Sequence, residues 1–247
     1  MPRTLTLKAC CVIAAVAVFA GQAASAQVID ANRPGFSFTT GVVPTGRWQL
    51  ETGIGYARPG SGGARTTSLP LAELRYGMTD DIEVFVYSLN WSESESANGD
   101  SSGLVDAVIG TKIAVGGGER LRSAVMFQLS VPIGDSDFSS DSWDPSVAYV
   151  WAYDSRIPLA GTVVVSDFGD RYQLDNGLQV PFSINDRQSA FVEWEMNLPE
   201  GGSDAHWLNG GLLLLLDDRR QIDFEVGVGL NDAAGDYRLS TGFSILF

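Results

Sequence analysis

The segment QIDFEVGVGL, residues 221–230, decides the fold, because large apolar residues alternate strictly with polar, acidic or glycine residues along it. Successive side chains of a β-strand point to opposite faces, so this strand has one apolar face and one acidic or bare face. The same alternation recurs in WQLETGIGY (48–56), YQLDNGLQVPF (172–182) and AFVEWEMNL (190–198). The chain is therefore predicted to be built of many half-apolar strands.

The residue composition of the polar faces distinguishes a transmembrane barrel from a soluble β-sandwich. A water-facing sandwich strand tolerates Lys, Thr and Ser, whereas these strands carry glycines and carboxylates opposite large aromatic residues. This distribution suits a barrel with lipid outside and water inside. Because lipid offers no hydrogen-bond partners to the backbone, a spanning sheet must close on itself. The sequence thus predicts an all-β fold, a transmembrane antiparallel up-and-down β-barrel.

Strand spacing predicts about twelve strands, most of them near the 9–11 residues that a tilted strand needs to cross a bilayer. The predicted strands are 47–58, 68–76, 82–91, 103–115, 120–131, 145–153, 158–167, 171–184, 187–198, 206–216, 221–230 and 237–247. Tight turns, such as 185–186, alternate with longer connections, of which 59–67, 92–102 and 132–144 are the longest. Bacterial barrels place short turns in the periplasm, so both termini are expected there.

The tryptophans are expected to form two aromatic girdles at the membrane interfaces rather than to pack a core. Trp48 and Trp151 fall near periplasmic strand ends, while Trp91, Trp143 and Trp207 fall near external ends. Trp194 lies in the outer half of its strand and fits this layout less well.

Residues 1–26 have the pattern of a cleaved signal peptide. Arg3 and Lys8 precede a short apolar run, and Ala24-Ser25-Ala26 supplies an A-x-A cleavage site. Cleavage removes Cys10 and Cys11, the only cysteines, and moves the net charge from −14 to −16 because two bases are lost. Such an acidic chain is an unlikely partner of nucleic acid, whose phosphates require a basic face. The expected divisions are the signal peptide, a periplasmic or lumen-plugging segment 27–46, and the outer-membrane barrel 47–247.

The chain ends in YRLSTGFSILF, a strand whose last residue, Phe247, lies on the apolar face. A terminal Phe on such a strand resembles the signal by which outer-membrane barrels are recognised for assembly. Phe247 is therefore the expected assembly signal, and the outer-membrane assembly machinery is an expected partner.

The mature N-terminus has a more specific pattern: an Asp-x-x-Arg-Pro start, a Pro-x-Gly turn and a Gln-Leu-Glu-x-Gly strand. The matching residues are Asp30, Arg33, Pro34, Pro44, Gly46, Gln49, Leu50, Glu51 and Gly53. With ELRYGMTDDIEV (73–84) and later segments, the mature chain resembles a family of transporter-like outer-membrane proteins named after the MetA pathway of phenol degradation. The resemblance implies a barrel that acts as a channel for small solutes, aromatic or hydrophobic ones among them, and implies no proven substrate.

Projection of the polar faces inward predicts a lumen with nine carboxylates and three bases. These residues are Glu51, Glu73, Arg75, Glu83, Asp106, Lys112, Asp175, Glu193, Glu195, Asp223, Glu225 and Arg238. A ring of unpaired carboxylates would select cations; carboxylates paired across strands would instead only make the wall rigid. Residues 27–46, with Arg33 and Pro34, are long enough to enter the lumen, so a plug, a gate and a disordered periplasmic tail all remain open.

The functional expectation is a passive outer-membrane channel, with a structural or surface-interaction barrel as the alternative and an outer-membrane hydrolase as a weaker one. Catalysis would need the only histidine, His206, with Asp204 nearby, and the sequence predicts no enzyme, cofactor or metal site. The acidic loop 134–144 lacks the Gly and Glu of an EF-hand. It is expected to bridge lipopolysaccharide through divalent cations; the lipid bilayer and a small solute are the other expected partners.

Overall fold

The computed structural model describes residues 28–58, 63–167, 169 and 171–247. The expected signal peptide and its two cysteines lie outside these residues. Within the described ranges no helix is long and apolar enough to cross a membrane. The strands are β1 (Trp48–Arg58), β2 (Arg65–Leu69), β3 (Glu73–Gly77), β4 (Ile82–Tyr87), β5 (Trp91–Ser96), β6 (Gly99–Leu104), β7 (Ala107–Ala114), β8 (Leu121–Val131), β9 (Pro145–Tyr153), β10 (Leu159–Asp167), β11 (Tyr172–Asn185), β12 (Gln188–Pro199), β13 (Ala205–Asp217), β14 (Arg220–Gly229) and β15 (Tyr237–Leu246).

These strands form one closed antiparallel barrel. The last strand pairs with the first along its whole length, from Gln49 opposite Leu246 to Arg58 opposite Tyr237. Strand β1 pairs with β3 at one end and with β2 at the other, and the β4/β5 and β6/β7 pairs likewise each form one interrupted strand. The fifteen segments that the structure describes therefore make twelve wall strands, which confirms the predicted architecture.

The two faces of the wall differ as the alternation predicts. Outward positions carry exposed apolar side chains, among them Phe127, Tyr149 and Phe224. Inward positions carry buried polar and charged side chains, among them Glu51 and Asp223. In a closed barrel the apolar outer surface contacts the lipid bilayer, so the fold is that of an outer-membrane protein.

The predicted loop 92–102 is wrong, because β5 and β6 form a hairpin there. Its alternating Ser and Glu residues have low strand propensity and indicated a loop, but they pair with β2 and with each other and so lengthen the wall at the long-loop end. The Asn98-Gly99 dipeptide is a hairpin signal that the prediction missed, and Gly99 has a φ of +132°, which favours glycine. Similarly, β2 begins at Arg65, inside the predicted loop 59–67.

Most tryptophans lie on the outside of the barrel. Trp48 at the short-turn end packs against Tyr76, with ring centroids 4.6 Å apart. Trp194 is 41% exposed and Trp143, in the loop after β8, is 60% exposed. Trp151 follows the buried Val150 and therefore faces outward, and Trp91 pairs with the exposed Leu69 and Leu104.

Trp207 was predicted to belong to the external girdle, and that prediction is wrong. It lies directly opposite Glu195, which is buried, and directly opposed residues of paired strands share a face. Trp207 therefore points into the barrel. Asn209, two residues further along β13 and 1% exposed, lies on the same inner face, as alternation along the strand requires.

Candidate functional site

Residues 28–46, here called the N-terminal segment, lie inside the barrel. The segment begins at the short-turn end, where the Ile29 amide donates to the carbonyl of Asp218 at 2.7 Å. It also ends there, where the Gly46 amide donates to the carbonyl of Gly77 at 2.8 Å. Its hydrogen bonds in between reach β1, β3, β4, β7, β10, β12 and β14. The segment therefore enters and leaves through one end and contacts the wall around its circumference.

Wall carboxylates hold the backbone of this segment. Glu51, Glu83 and Glu193 are each 0% exposed, and each accepts at least one segment N–H. The bonds run from Asn32 N (3.1 Å) and Arg33 N (3.0 Å) to Glu51, from Val43 N (2.7 Å) to Glu83, and from Phe36 N and Ser37 N (2.9 Å each) to Glu193. Since these donors are backbone groups, no side-chain pattern in the segment signals the interaction.

Two buried bases organise the charged side of the lumen. The Arg75 guanidinium bonds Glu51 through Nη1 and Glu83 through Nε and Nη2, each at 2.9 Å. The Lys112 ammonium lies 3.2 Å from Glu83 and donates to the carbonyl of Gly41 at 3.0 Å. All four wall side chains of this network are fully buried. A buried pair that loses one partner leaves an uncompensated charge, so the network couples the wall to the segment.

Arg33 carries the positive charge of the segment into a second acidic position. Its Nη2 lies 3.2 Å from Asp223, and its carbonyl accepts from Gln221 at 3.1 Å. The guanidinium lies over Gly53 and Gly242, which oppose each other on β1 and β15. A Cβ at Gly242 would stand 2.3 Å from Arg33 Nε. The absence of a side chain at this position therefore leaves a slot in the wall for the Arg33 guanidinium.

The residues beside Arg33 are also enclosed. Pro34 is buried, and Asn32 donates through Nδ2 to Glu73 at 2.8 Å. Asn32 also accepts from Lys112 through Oδ1 at 3.2 Å. The sequence did not single out Asn32, although it links an acid and a base of the predicted lumen set.

Arg238 forms a separate cluster towards the long-loop end. It makes a close ion pair with Glu195, and its Nη2 lies 3.7 Å from Glu225. Its guanidinium also stacks over the Trp207 ring, 4.8 Å from the centroid, an arrangement typical of a cation–π contact. The sequence predicted the charged members of this cluster, Glu195, Glu225 and Arg238, as lumen residues, but it did not predict the inward Trp207.

Two predicted lumen carboxylates lie apart from the segment. Asp175 accepts from Gln173 at 2.8 Å and from Asn197 at 3.0 Å, both on the wall. Asp106 lies between β6 and β7 and accepts from the backbone amides of Gly134 (2.9 Å) and Ser140 (2.8 Å). Asp106 therefore fastens the loop after β8.

The residues weighed for catalysis and metal binding do not come together. His206 stacks on Trp194 on the outer face, with ring centroids 5.9 Å apart. In the acidic loop, Ser140 and Ser142 both donate to Asp144, each at 2.6 Å. Among the described residues, no group of three or more His, Cys, Asp or Glu side chains is arranged to hold a metal ion.

One part of the interior is apolar, which the sequence analysis did not predict. The buried residues of this patch, here called the apolar wall, come from β4, β8, β9 and β10 and are Phe85, Ala124, Met126, Ala148, Val150 and Val164. Phe36 and Phe38 of the N-terminal segment and Tyr87 of β4 pack against it. The available signal was that β8 and β9 carry apolar residues on both faces, which indicates that something covers the inner face.

Known barrels resemble this chain in fold. An outer-membrane channel from Pseudomonas putida F1 matches with 13% identity and a TM-score of 0.63, over 87% of this chain and 99% of that one. The NanC porin matches with 12% identity and a TM-score of 0.55, over 79% and 98%. The KdgM porin, solved in complex with disordered oligogalacturonate, matches with 10% identity and a TM-score of 0.51, over 81% and 99%. No curated protein matched in sequence.

Family membership rests on the sequence itself. The family model described as "Putative MetA-pathway of phenol degradation" matches residues 31–247, which include nearly all of the described N-terminal segment and the whole barrel. Two of the motif residues that carry the resemblance, Arg33 and Glu51, are in contact inside the lumen. The chain belongs to the MetA-pathway phenol-degradation family of outer-membrane barrels.

Proposed function

We propose that this protein is an outer-membrane channel for the passive uptake of small solutes, aromatic or hydrophobic ones among them, and that residues 27–46 plug it. The observation that carries the proposal is the way the interior is filled. A separate segment, joined to the wall at one end of the barrel, occupies the space between inward-facing carboxylates. Departure of that segment leaves a lumen whose wall is polar and charged except at the apolar wall, and a polar lumen admits water and solutes.

Cation preference follows from the pairing of the wall charges. Glu195 and Glu225 face Arg238, which stays on the wall when the segment leaves. Glu193 accepts from the neutral amides of Phe36, Ser37 and Asn209, so two of its three donors leave with the segment. The open channel therefore has an uncompensated carboxylate at Glu193, and a confined carboxylate attracts cations.

Planar-bilayer conductance tests the proposal. The intact mature protein is expected to conduct poorly, and the protein lacking residues 27–46 is expected to form stable open channels. A barrel that is silent in both forms would refute the channel and favour a structural or surface-interaction barrel.

A reversible lock provides the matched comparison. A Cβ at Gly177 would lie 2.4 Å from Ser37 Oγ, so positions 37 and 177 adjoin, and S37C/G177C is the pair with which to introduce a disulfide between segment and wall. The oxidised variant should be silent and should conduct after reduction, because only the segment is released. Equal conductance before and after reduction, with the disulfide verified, would show that the segment does not gate the lumen.

The remaining proposed roles lie at the two ends of the barrel. Phe247 is proposed to be the assembly signal; its amide donates to the carbonyl of Trp48 at 2.8 Å, which ties the last residue to the first strand. The acidic external loop is proposed to contact lipopolysaccharide through divalent cations, which its carboxylates attract.

A further inference from the structure

The apolar wall is costly for an open, water-filled lumen. Met126 and Val150 are 0% exposed, and Phe36 and Phe38 of the N-terminal segment pack against the cluster to which they belong. Once the segment leaves, these side chains face water, and exposed apolar surface favours an apolar occupant. The wall also presents aromatic rings, since Phe85 and Tyr87 lie with centroids 5.8 Å apart.

The segment places a ring and a hydrogen-bond donor together at this surface. The Phe38 ring lies 6.2 Å from the Tyr87 ring, and Phe36 packs on the same wall. The amide of Phe36 donates to Glu193 at 2.9 Å, and the amide of Phe38 donates to Thr162 Oγ1 at 3.0 Å. Each phenylalanine thus combines an aromatic ring on the apolar wall with an N–H donated to a polar acceptor.

Gly177 makes room for this arrangement. A Cβ at this position would lie 2.7 Å from Phe36 Cδ1 and 3.2 Å from Glu193 Oε1. The ring and the carboxylate therefore converge over one residue of β11. A single phenyl ring, that of Phe36, fills this position beside the Glu193 carboxylate.

We propose that Phe36 and Phe38 occupy a solute-binding site, and that its solute is a single-ring aromatic compound with an O–H or N–H donor. The inference rests on the proposed channel function and names the solute class for it. The ring takes the place of Phe36 on the apolar wall and the donor takes the place of its amide at Glu193. Neutral or cationic compounds bind, and aromatic carboxylates are excluded because Glu193 repels them. The segment is a tethered competitor for this site.

Binding to detergent-purified protein tests the proposal without any need for conduction. The probes are benzylamine, benzoate, which has the ring but the opposite charge, and n-butylamine, which has the charge but no ring. The variant F36A/F38A removes both rings from the apolar wall and leaves the backbone amides in place. G210A is the control, because Gly210 lies on the outer face opposite the exposed Val192 and Val226, and a Cβ there meets its nearest atom at 3.8 Å. F36A/F38A should bind benzylamine at least about tenfold more tightly than the wild type and G210A do, since the two rings no longer compete for the apolar wall. Benzoate and n-butylamine should bind at least about tenfold more weakly than benzylamine to F36A/F38A.

A second measurement applies if F36A/F38A fails to fold. In the S37C variant, benzylamine should accelerate labelling of the thiol because it displaces the segment, whereas benzoate and n-butylamine should not. Equal benzylamine affinity in the wild type and in folded F36A/F38A, or labelling that none of the probes changes, would overturn the inference. If benzylamine binds as expected but every form of the barrel is silent in a bilayer, the site stands and the channel proposal fails. If the barrel forms open channels but binds benzylamine no more tightly than n-butylamine, the channel proposal stands and the aromatic site fails.

Discussion

The substitution Gly242→Ala tests whether the slot for Arg33 holds the N-terminal segment in the barrel. The added Cβ would stand 2.3 Å from Arg33 Nε and 2.6 Å from both Cζ and Nη2, and all three nearest atoms belong to Arg33. Ordinary contact begins at 3.4 Å, so the guanidinium must retreat. Its bonds to Asp223, at 3.2 and 3.4 Å, are then lost while the wall itself is not touched.

The expected magnitude follows from that loss. A hydrogen bond to a charged group contributes about 1.5–3 kcal/mol. We count the two bonds to Asp223 as one such interaction, because the Arg33 side chain is 14% exposed and water competes for it. Release of the segment should therefore become roughly 10- to 150-fold more favourable, since each 1.36 kcal/mol is a factor of ten.

Thiol labelling at position 37 measures this equilibrium. Ser37 is 7% exposed, and its hydroxyl has no hydrogen-bond partner among the described residues, so S37C removes no bond. G242A/S37C should be labelled faster than S37C by the factor above and should open more often in bilayers. G210A/S37C is the matched control, because a Cβ at Gly210 meets its nearest atom at 3.8 Å. Equal labelling rates in all three proteins would refute the reasoning.

Three further outcomes are expected. The purified barrel should migrate differently on gels before and after boiling, because its hydrogen-bonded wall persists in detergent; identical migration together with recovery in the soluble periplasmic fraction would contradict the fold. Deletion of Phe247 should cause poor insertion and periplasmic degradation, measured by membrane fractionation, and normal surface levels would show that the terminal residue is incidental. In the barrel without residues 27–46, E193Q should lower the cation-to-anion permeability ratio more than E195Q, because Arg238 pairs with Glu195; the difference should shrink in 1 M salt, where the Debye length is about 3 Å, and equal ratios at low salt would mean that Glu193 is neutralised within the wall.

The barrel was predictable because its main determinant is local. Alternation along a strand assigns each side chain to lipid or lumen without knowledge of its neighbours, and residues such as Glu51 and Asp223 are buried inside as that rule requires. The count of twelve wall strands followed from the spacing of the turns. The local rule works here since every wall strand meets the same two environments.

The features that were missed depend on partners distant in sequence. Trp207 was assigned to a girdle by its position along the strand, yet its face is set by the register with Glu195. The inward Leu215 of the leucine run 212–216 packs with Ile29 and Val43, so the run is apolar on both faces where the segment covers it. The sequence shows that such a strand has apolar residues on both faces, but it does not show which segment covers the inner face.

The acidic excess of the lumen has a structural meaning that the sequence left open between ion selection and wall rigidity. Glu51, Glu83 and Glu193 accept N–H groups of the N-terminal segment, and such donors carry no net charge to cancel the carboxylates. Arg75 and Lys112 compensate Glu51 and Glu83 from the wall, whereas Glu193 has neutral donors. In the proposed channel, a carboxylate of this kind holds the segment when the lumen is filled and attracts cations when it is empty. The same residue then serves both proposed states, and a channel closed by backbone donors needs an acidic wall for closure as much as for selectivity.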